Sequence, residues 1–275
     1  MLQSWQSCYI ELRKENYKIM AISSNEWVRY PRPKPQARLR LFCLHYAGGG
    51  ASAFRSWEHN VPSDVELALI QLPGRENRAR EKAFTHMTPL VNTLTDILLP
   101  LLDKPFVFFG HSLGALTSFE VTRQLRRQQG PAPLQLFVSG SRAPQRPFPA
   151  SEEPIHALPD DEFIQKLREY NGTPEEVLQH AELMNLLMPV LRADFSLYET
   201  YVYQPEDPLP CGISAFGGVQ DPKVTREDVA AWRAQTRGQF ALRMLPGDHF
   251  FLHSAQTQLL QAVSQDLMQI LSHNY

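Results

Sequence analysis

A serine stands at the centre of a glycine-flanked pentapeptide in this chain. Ser112 lies in Gly110-His111-Ser112-Leu113-Gly114, after an apolar run typical of a buried strand and before a stretch typical of a helix. A serine on such a strand-to-helix turn takes a positive φ. The residues two positions before and after it must lack a Cβ, because the strand and the helix approach closely there. The spacing therefore predicts an exposed, nucleophilic hydroxyl with an oxyanion-binding N–H next to it.

A serine nucleophile needs a general base, which in turn needs a carboxylate to orient it. His249 is the predicted base because it follows the apolar run 240–245 in a glycine-containing loop, at the expected carboxyl end of a strand. His253 is the alternative, although its position near a helix favours a polar surface role. The remaining histidines after Ser112 lie in a helical insertion or at the end of the chain: His156, His180 and His273.

Asp221 is the predicted carboxylate. It lies in the loop after the strand-like run 213–216 and precedes His249 by one strand–helix–strand step. Asp248 adjoins the base in the chain and is expected to cap its turn, and Asp194 falls within the helical insertion. The order serine, acid, histidine along the chain is that of α/β-hydrolases.

Two backbone donors are needed to stabilise the oxyanion that forms when a serine attacks a carbonyl. The N–H of Leu113 is the first. The second is expected from the loop His45–Gly50 after the first long strand, where three glycines let the backbone curl against a substrate. Ala47 is the predicted donor in this loop and Tyr46 is the alternative. A phosphate-binding loop is not indicated, because no Gly-Lys-Ser/Thr follows the glycines.

An alternation of strands and helices must position these residues. Most of the strand-like runs are continuously apolar: 39–44, 67–72, 106–109, 134–139, 213–216 and 240–245. Helical patterns lie between or after them: 89–102, 113–128, 226–236 and 256–271. This alternation predicts an α/β fold with a mostly parallel sheet, helices on both faces, and an active site at the carboxyl ends of the strands.

Residues 141–210 interrupt the alternation where a short crossover would suffice. The segment opens with several prolines and has helical patterns over 160–170 and 174–203. It forms either a pair of additional core helices or a helical lid whose apolar underside lines an acyl-binding channel. Because flexible apolar side chains suit variable acyl chains, we expect a lid in which Met184, Met188 and Phe195 contact the substrate.

Composition argues against several other classes of function. The net charge of −2 over 275 residues gives no general attraction to nucleic acid or to anionic membranes. No apolar run approaches the roughly 18 residues of a membrane span, and the amino terminus lacks the apolar core of a signal peptide. Three scattered cysteines suit neither a disulfide framework nor a zinc site. We therefore expect a cytoplasmic protein without a metal.

The chain is predicted to have one catalytic domain, residues 38–275, after a peripheral extension, residues 1–37. Alternating prolines in Tyr30–Pro35 favour an extended tether, and Met20 is an alternative start to Met1. A monomer is expected because no coiled-coil pattern or repeat is present.

From Arg38 onward, the sequence resembles the type II thioesterases of polyketide and non-ribosomal peptide assembly lines. The motifs that carry this resemblance follow one another in the order of that family: His45–Gly49, Gln71–Glu76, Gly110–Gly114, Leu191–Phe195 with Glu199–Tyr201, Gly217–Gly218 before Asp221, and Gly247–Phe251. The resemblance implies an α/β-hydrolase fold and an enzyme with no cofactor of its own, because the substrate itself carries a phosphopantetheine arm.

The same resemblance implies a substrate and a partner. Acyl groups would be hydrolysed from the arm of acyl or peptidyl carrier proteins, which clears stalled or mis-primed units. Arg75, with nearby Arg78 and Arg80, would meet the phosphate of the arm or an acidic face of the carrier, or else form a charged loop paired with Glu76 and Glu81. The alternatives are a medium-chain fatty acyl thioesterase, a carboxyl-ester hydrolase of the lipase type, and an inactive binding protein with this fold.

Overall fold

The computed structural model describes residues 26–146 and 153–273, so the choice between Met1 and Met20 as the start lies outside the described residues. The described strands form one sheet: β1 (Val28–Arg29), β2 (Leu39–Leu44), β3 (Val65–Ile70), β4 (Phe106–His111), β5 (Gln135–Ser139), β6 (Gly212–Gly218) and β7 (Phe240–Leu245). Their order across the sheet is β1-β3-β2-β4-β5-β6-β7. β1 runs antiparallel to β3, and all other neighbouring strands are parallel.

Helices lie along and between the strands: α1 (Met87–Leu98), α2 (Leu113–Arg127), α3 (Asp160–Tyr170), α4 (Glu175–Leu178), α5 (Ala181–Glu199), α6 (Arg226–Ala230), α7 (Phe251–Ser254) and α8 (Gln256–His273). The predicted helices 89–102 and 226–236 each end in a turn of 3₁₀ helix, Leu99–Leu101 and Ala231–Gln235. A further 3₁₀ segment, Ala51–His59, has no counterpart among the predicted elements.

The central strands are apolar because both faces of the sheet are covered. Adjacent residues of β4 show this: Phe108 belongs to the core cluster that contains Leu116 of α2, whereas Phe109 belongs to the cluster that contains Leu259 of α8. The predicted architecture, a mostly parallel sheet with helices on both faces, is therefore confirmed.

β1 corrects the expectation of a peripheral extension over residues 1–37 for the few residues around it, whereas residues 1–25 lie outside the described residues. Val28 is buried and pairs with Ile70 at the edge of the sheet, and buried Trp27 lies 4.0 Å from the guanidinium of Arg78. Trp27 and Val28, which precede the proline-rich stretch, thus belong to the core of the domain. A strand of only two residues has no periodicity by which the sequence could reveal it.

The insertion folds as a helical layer, here called the lid and defined as the described part of residues 141–210. The predicted helix over 174–203 is divided into α4 and α5, because His180 caps α5 by accepting the Leu183 N–H. Lid residues also form a hydrophobic cluster of their own, which includes Phe163, Leu178 and Met184. Among the described residues, no helix has the length and apolar character needed to cross a bilayer.

Candidate active site

Ser112 lies on the sharp turn between β4 and α2, with φ 53° and ψ −116°. Its N–H donates to the carbonyl of Ser139 at the end of β5, over 2.7 Å. A Cβ on Gly110 would lie 2.2 Å from the carbonyl oxygen of Gly114, and a Cβ on Gly114 would lie 2.2 Å from that of Leu44. The close approach of strand and helix therefore requires both flanking glycines, as the sequence predicted.

The structure brings Ser112, His249 and Asp221 together in one hydrogen-bonded chain. His249 Nδ1 donates to Asp221 Oδ2 over 2.8 Å, and His249 Nε2 accepts from Ser112 Oγ over 3.1 Å. Because an ionised carboxylate can only accept, Asp221 fixes the tautomer that leaves Nε2 free to take a proton. Asp221 Oδ1 accepts the backbone N–H groups of Lys223 and Val224, so the acid is held by its own loop.

The alternative base and acid lie in other surroundings. His253 Nε2 is 3.0 Å from the hydroxyl of Tyr46, on the outer side of the glycine-rich loop. Asp248 accepts the N–H of Phe250 and a side-chain N–H of Asn171, which matches the expected cap of the turn. Neither residue forms a hydrogen bond with Ser112, His249 or Asp221 in the described structure.

His111 is a residue of the site that the sequence reasoning did not single out. Its buried ring donates from Nε2 to the carbonyl of His249 over 2.9 Å, and Nδ1 accepts the hydroxyl of Ser139. Burial and the neighbouring His249 ring hold the pKa of His111 well below its ordinary value, so the ring is neutral. His111 therefore fixes the backbone of the base. The only signal was a histidine at the variable second position of the pentapeptide.

The two predicted oxyanion donors line one cavity together with Ser112 and His249. Leu113 is the first residue of α2, so its N–H has no acceptor within the helix. Ala47 faces the same cavity from the loop after β2, as does the alternative, Tyr46.

Arg75 is placed differently from the expectation, which the structure corrects. Its side chain is only 6% exposed, and its guanidinium donates to both oxygens of Asp194, over 2.6 and 2.8 Å. Arg78 is also buried and pairs with Glu81. Arg75 is thus committed to an internal ion pair and does not meet a phosphate or a carrier. No local pattern could reveal a partner 119 residues away in the chain.

The cavity beside Ser112 has a volume of about 240 Å³ and mostly apolar walls. α5 contributes Leu187, Leu191 and Phe195, which follow one another at the four-residue spacing of one helix face. Phe195 thus lies where substrate contact was predicted. Met184 and Met188 do not line this cavity, although they pack in the same hydrophobic cluster of the lid as Leu191 and Phe195.

No metal site accompanies these residues: among those described, no three His, Cys, Asp or Glu side chains are grouped to hold an ion. The thiols of Cys43 and Cys211 are buried, which raises the pKa of Cys43 well above its ordinary value and that of Cys211 to about 12. Neither thiol is therefore a thiolate near neutral pH.

Residues 39–267 match the family described as Thioesterase domain. The chain is 46% identical over 248 residues to the gramicidin S biosynthesis protein GrsT of Aneurinibacillus migulanus, covering 90% of this chain and 96% of that protein. It is similar in structure to the thioesterase RedJ from the prodiginine pathway of Streptomyces coelicolor, with a TM-score of 0.78, 39% identity, and coverage of 86% and 91%. The type II thioesterase BorB from the borrelidin cluster gives a TM-score of 0.79, 33% identity, and coverage of 87% and 96%. These likenesses confirm the predicted α/β-hydrolase fold.

Proposed function

The chain belongs to the thioesterase domain family, and on that premise we propose that Ser112, His249 and Asp221 hydrolyse acyl thioesters carried on the phosphopantetheine arm of acyl or peptidyl carrier proteins. The family makes the chain a hydrolase of thioesters. The observation that supports the assignment of the residues is the hydrogen-bonded chain from Asp221 through His249 to Ser112 at the wall of an apolar cavity.

Acylation begins when Ser112 Oγ attacks the thioester carbonyl carbon and its proton passes to His249 Nε2. The carbonyl oxygen becomes an oxyanion, which the N–H groups of Ala47 and Leu113 stabilise, while Asp221 stabilises the imidazolium. The tetrahedral intermediate then collapses. The carbon–sulfur bond breaks, the proton on His249 passes to the departing thiolate sulfur, and the acyl group remains as an ester on Ser112.

Deacylation repeats these steps with water as the nucleophile. His249 Nε2 takes a proton from the water as its oxygen attacks the ester carbonyl of the acyl-enzyme. Collapse of the second tetrahedral intermediate breaks the bond to Ser112 Oγ, which recovers its proton from His249. A carboxylic acid is released and the free enzyme is restored without any cofactor.

The biosynthetic settings of the relatives support carrier proteins as the partners. GrsT is named for gramicidin S biosynthesis, RedJ for the prodiginine pathway and BorB for the borrelidin cluster. By extension, we propose that this chain serves a peptide or polyketide assembly line and removes stalled or mis-primed acyl units. We further propose that it is a monomer and that it is cytoplasmic; the cytoplasmic location fits the free, buried thiols of Cys43 and Cys211.

The test compares two substrates with the same acyl group. One is a thioester on a carrier protein, and the other is an oxygen ester whose alcohol is about as long as pantetheine. We expect the thioester to be hydrolysed with the higher kcat/KM, and the Ser112→Ala variant to lose both activities. A strong preference for the oxygen ester would contradict the proposal and favour a carboxyl-ester hydrolase. A panel of acyl lengths in which only free medium-chain thioesters react would favour fatty acyl release instead.

A further inference from the structure

We propose that Asp194, a residue of lid helix α5, is a positioning residue for the oxyanion hole. Together with Arg75 it holds the loop that carries Ala47. The inference depends on the proposed function in one respect, that the N–H of Ala47 stabilises the oxyanion.

The Asp194 carboxylate is wholly buried and forms a hydrogen bond with the backbone of the loop. Oδ2 accepts the N–H of Gly48 over 2.8 Å as well as Arg75 Nη1, and Oδ1 accepts Arg75 Nη2. Arg75 Nη1 also donates to the carbonyl of Gly49 over 3.1 Å. One ion pair therefore holds an N–H and a carbonyl of two successive residues in the loop.

Both peptide planes next to Ala47 are held by hydrogen bonds, one directly by Asp194 and the other by His45 and by Gly49, whose carbonyl Arg75 holds in turn. The plane that follows Ala47 contains the N–H of Gly48, which Asp194 accepts. The plane that precedes Ala47 contains the carbonyl of Tyr46, which accepts both His45 Nδ1–H and the N–H of Gly49. Because the carbonyl and the N–H of a trans peptide point in opposite directions, holding the Tyr46 carbonyl sets the direction of the Ala47 N–H.

A second contact from the same helix reaches the same loop. Gly48 has a φ of +75°, and a Cβ there would lie 2.5 Å from Leu191 Cδ2. Leu191 also lines the cavity beside Ser112. The helix that forms the apolar wall thus also supplies the carboxylate that orders the oxyanion loop, so a displacement of α5 would weaken acyl binding and transition-state stabilisation together.

The test removes the ion pair without leaving a buried charge. In a double variant, Asp194→Leu with Arg75→Met, apolar side chains of similar size replace both partners, an exchange that proteins often tolerate. The Gly48 N–H then has no carboxylate to accept it. We expect kcat to fall about 10- to 100-fold with KM changed less than about 3-fold, because the oxyanion forms only in the transition state.

Two further variants serve as controls. In Asp194→Asn with Arg75→Met, the charges are again removed but an amide oxygen can still accept the Gly48 N–H, so we expect kcat to recover to within about 5-fold of the native value. The second control replaces another Arg–Asp pair, which is less buried, in the variant Arg243→Met with Asp266→Leu. This pair is also bidentate, at 2.9 and 2.7 Å, but lies between β7 and α8 and does not line the cavity. We expect its kcat to stay within about 2-fold of native.

A transition-state analogue separates positioning from general loss of structure. Ser112 Oγ adds to the carbonyl carbon of an alkyl trifluoromethyl ketone, and the serine proton passes to His249. The ketone oxygen then becomes an oxyanion. A thioether analogue of the substrate has no carbonyl. For Asp194→Leu with Arg75→Met, we expect ketone affinity to fall by the same factor as kcat/KM, and thioether affinity to stay unchanged.

Three results would overturn the inference: native kcat and ketone affinity in the Leu/Met variant, equal impairment of that variant and its Asn/Met counterpart, or an equal loss in the Arg243 and Asp266 control. If the Leu/Met variant fails to fold, the Asn/Met variant decides, because the inference requires it to keep ketone affinity within about 5-fold of native. Failure of the native chain to hydrolyse thioesters in a Ser112-dependent way would instead contradict the proposed function.

Discussion

Ser112, Asp221 and His249 each lie in the loop after a strand of the sheet, whereas much of the apolar wall of the cavity comes from α3 and α5 of the lid. The loops at the strand ends are held by hydrogen bonds that involve their backbone, such as those from the Lys223 and Val224 N–H groups to the Asp221 carboxylate. The wall depends on side chains at helical spacing around the separate hydrophobic cluster of the lid. The positions of Ser112, Asp221 and His249 are thus set by the strand ends, whereas the lid supplies the side chains that fit the acyl chain and, through Asp194, a hydrogen bond to the oxyanion loop.

Substitutions at the strand ends are expected to have larger effects than substitutions in the lid, and Asp221→Asn tests this. An asparagine amide can donate to His249 Nδ1, which favours the tautomer whose Nε2 already carries a proton and cannot accept one from Ser112. We expect kcat to fall about 10³- to 10⁴-fold with little change in KM. Steady-state kinetics with an acyl thioester would measure this, and a loss below about 10-fold would show that Asp221 is not the orienting acid.

Lid substitutions are expected to act on selectivity instead. Phe195 lies in the cavity wall and packs against the rings of Phe163 and Tyr170. Phe195→Ala should widen the cavity and change the ratio of kcat/KM for a long and a short acyl chain by about 10-fold. The measurement is kcat/KM as a function of acyl chain length, here called the chain-length profile. An unchanged profile would show that Phe195 does not contact the acyl chain.

Met184 provides the contrast within the same helix, because it is buried in the lid cluster and does not line the cavity. We expect Met184→Ala to lower the free energy of unfolding by about 2–4 kcal/mol while the chain-length profile stays native. Urea unfolding and the same profile would measure both quantities. A changed profile with native stability would show that Met184 contacts the substrate, as the sequence predicted.

A smaller effect is expected from His45, at the base of the oxyanion loop. Burial, then the nearby charge of Arg75, lowers the pKa of His45 to about 4, against the opposing influence of Asp194 and Glu76. The unfolded chain therefore binds a proton near pH 6.5 that the folded chain does not, so stability is lost as the pH falls from about 6.5 to about 4. Urea unfolding between pH 7 and pH 4.5 should show a shallower loss in His45→Asn than in the native chain. Equal slopes would contradict a neutral, buried His45.

The smallest effect concerns the strain at the nucleophile. A non-glycine residue at φ 53° and ψ −116° is held in an unfavourable conformation. Ser112→Gly should therefore raise the free energy of unfolding by about 1 kcal/mol relative to Ser112→Ala. Equal stabilities would show that the elbow is unstrained.

The sequence predicted the strand ends better than the lid, for physical reasons. Ser112, Asp221 and His249 follow apolar runs, and a run with turn residues after it marks a strand end locally. The Arg75–Asp194 pair joins residues far apart in the chain, so its partners are chosen by tertiary packing that no local pattern records. For the lid, helical periodicity predicted α3 and α5 but could not tell which side chains of the lid cluster also line the cavity and which, like Met184, do not.

The most direct test of a serine-dependent thioesterase is the rate at which Ser112→Ala releases acyl groups from a loaded carrier protein. We expect a loss of about 10⁴-fold or more relative to the native chain, with the circular dichroism spectrum and the unfolding midpoint close to native. Release by the folded variant at close to the native rate would contradict the assignment of Ser112 as the nucleophile.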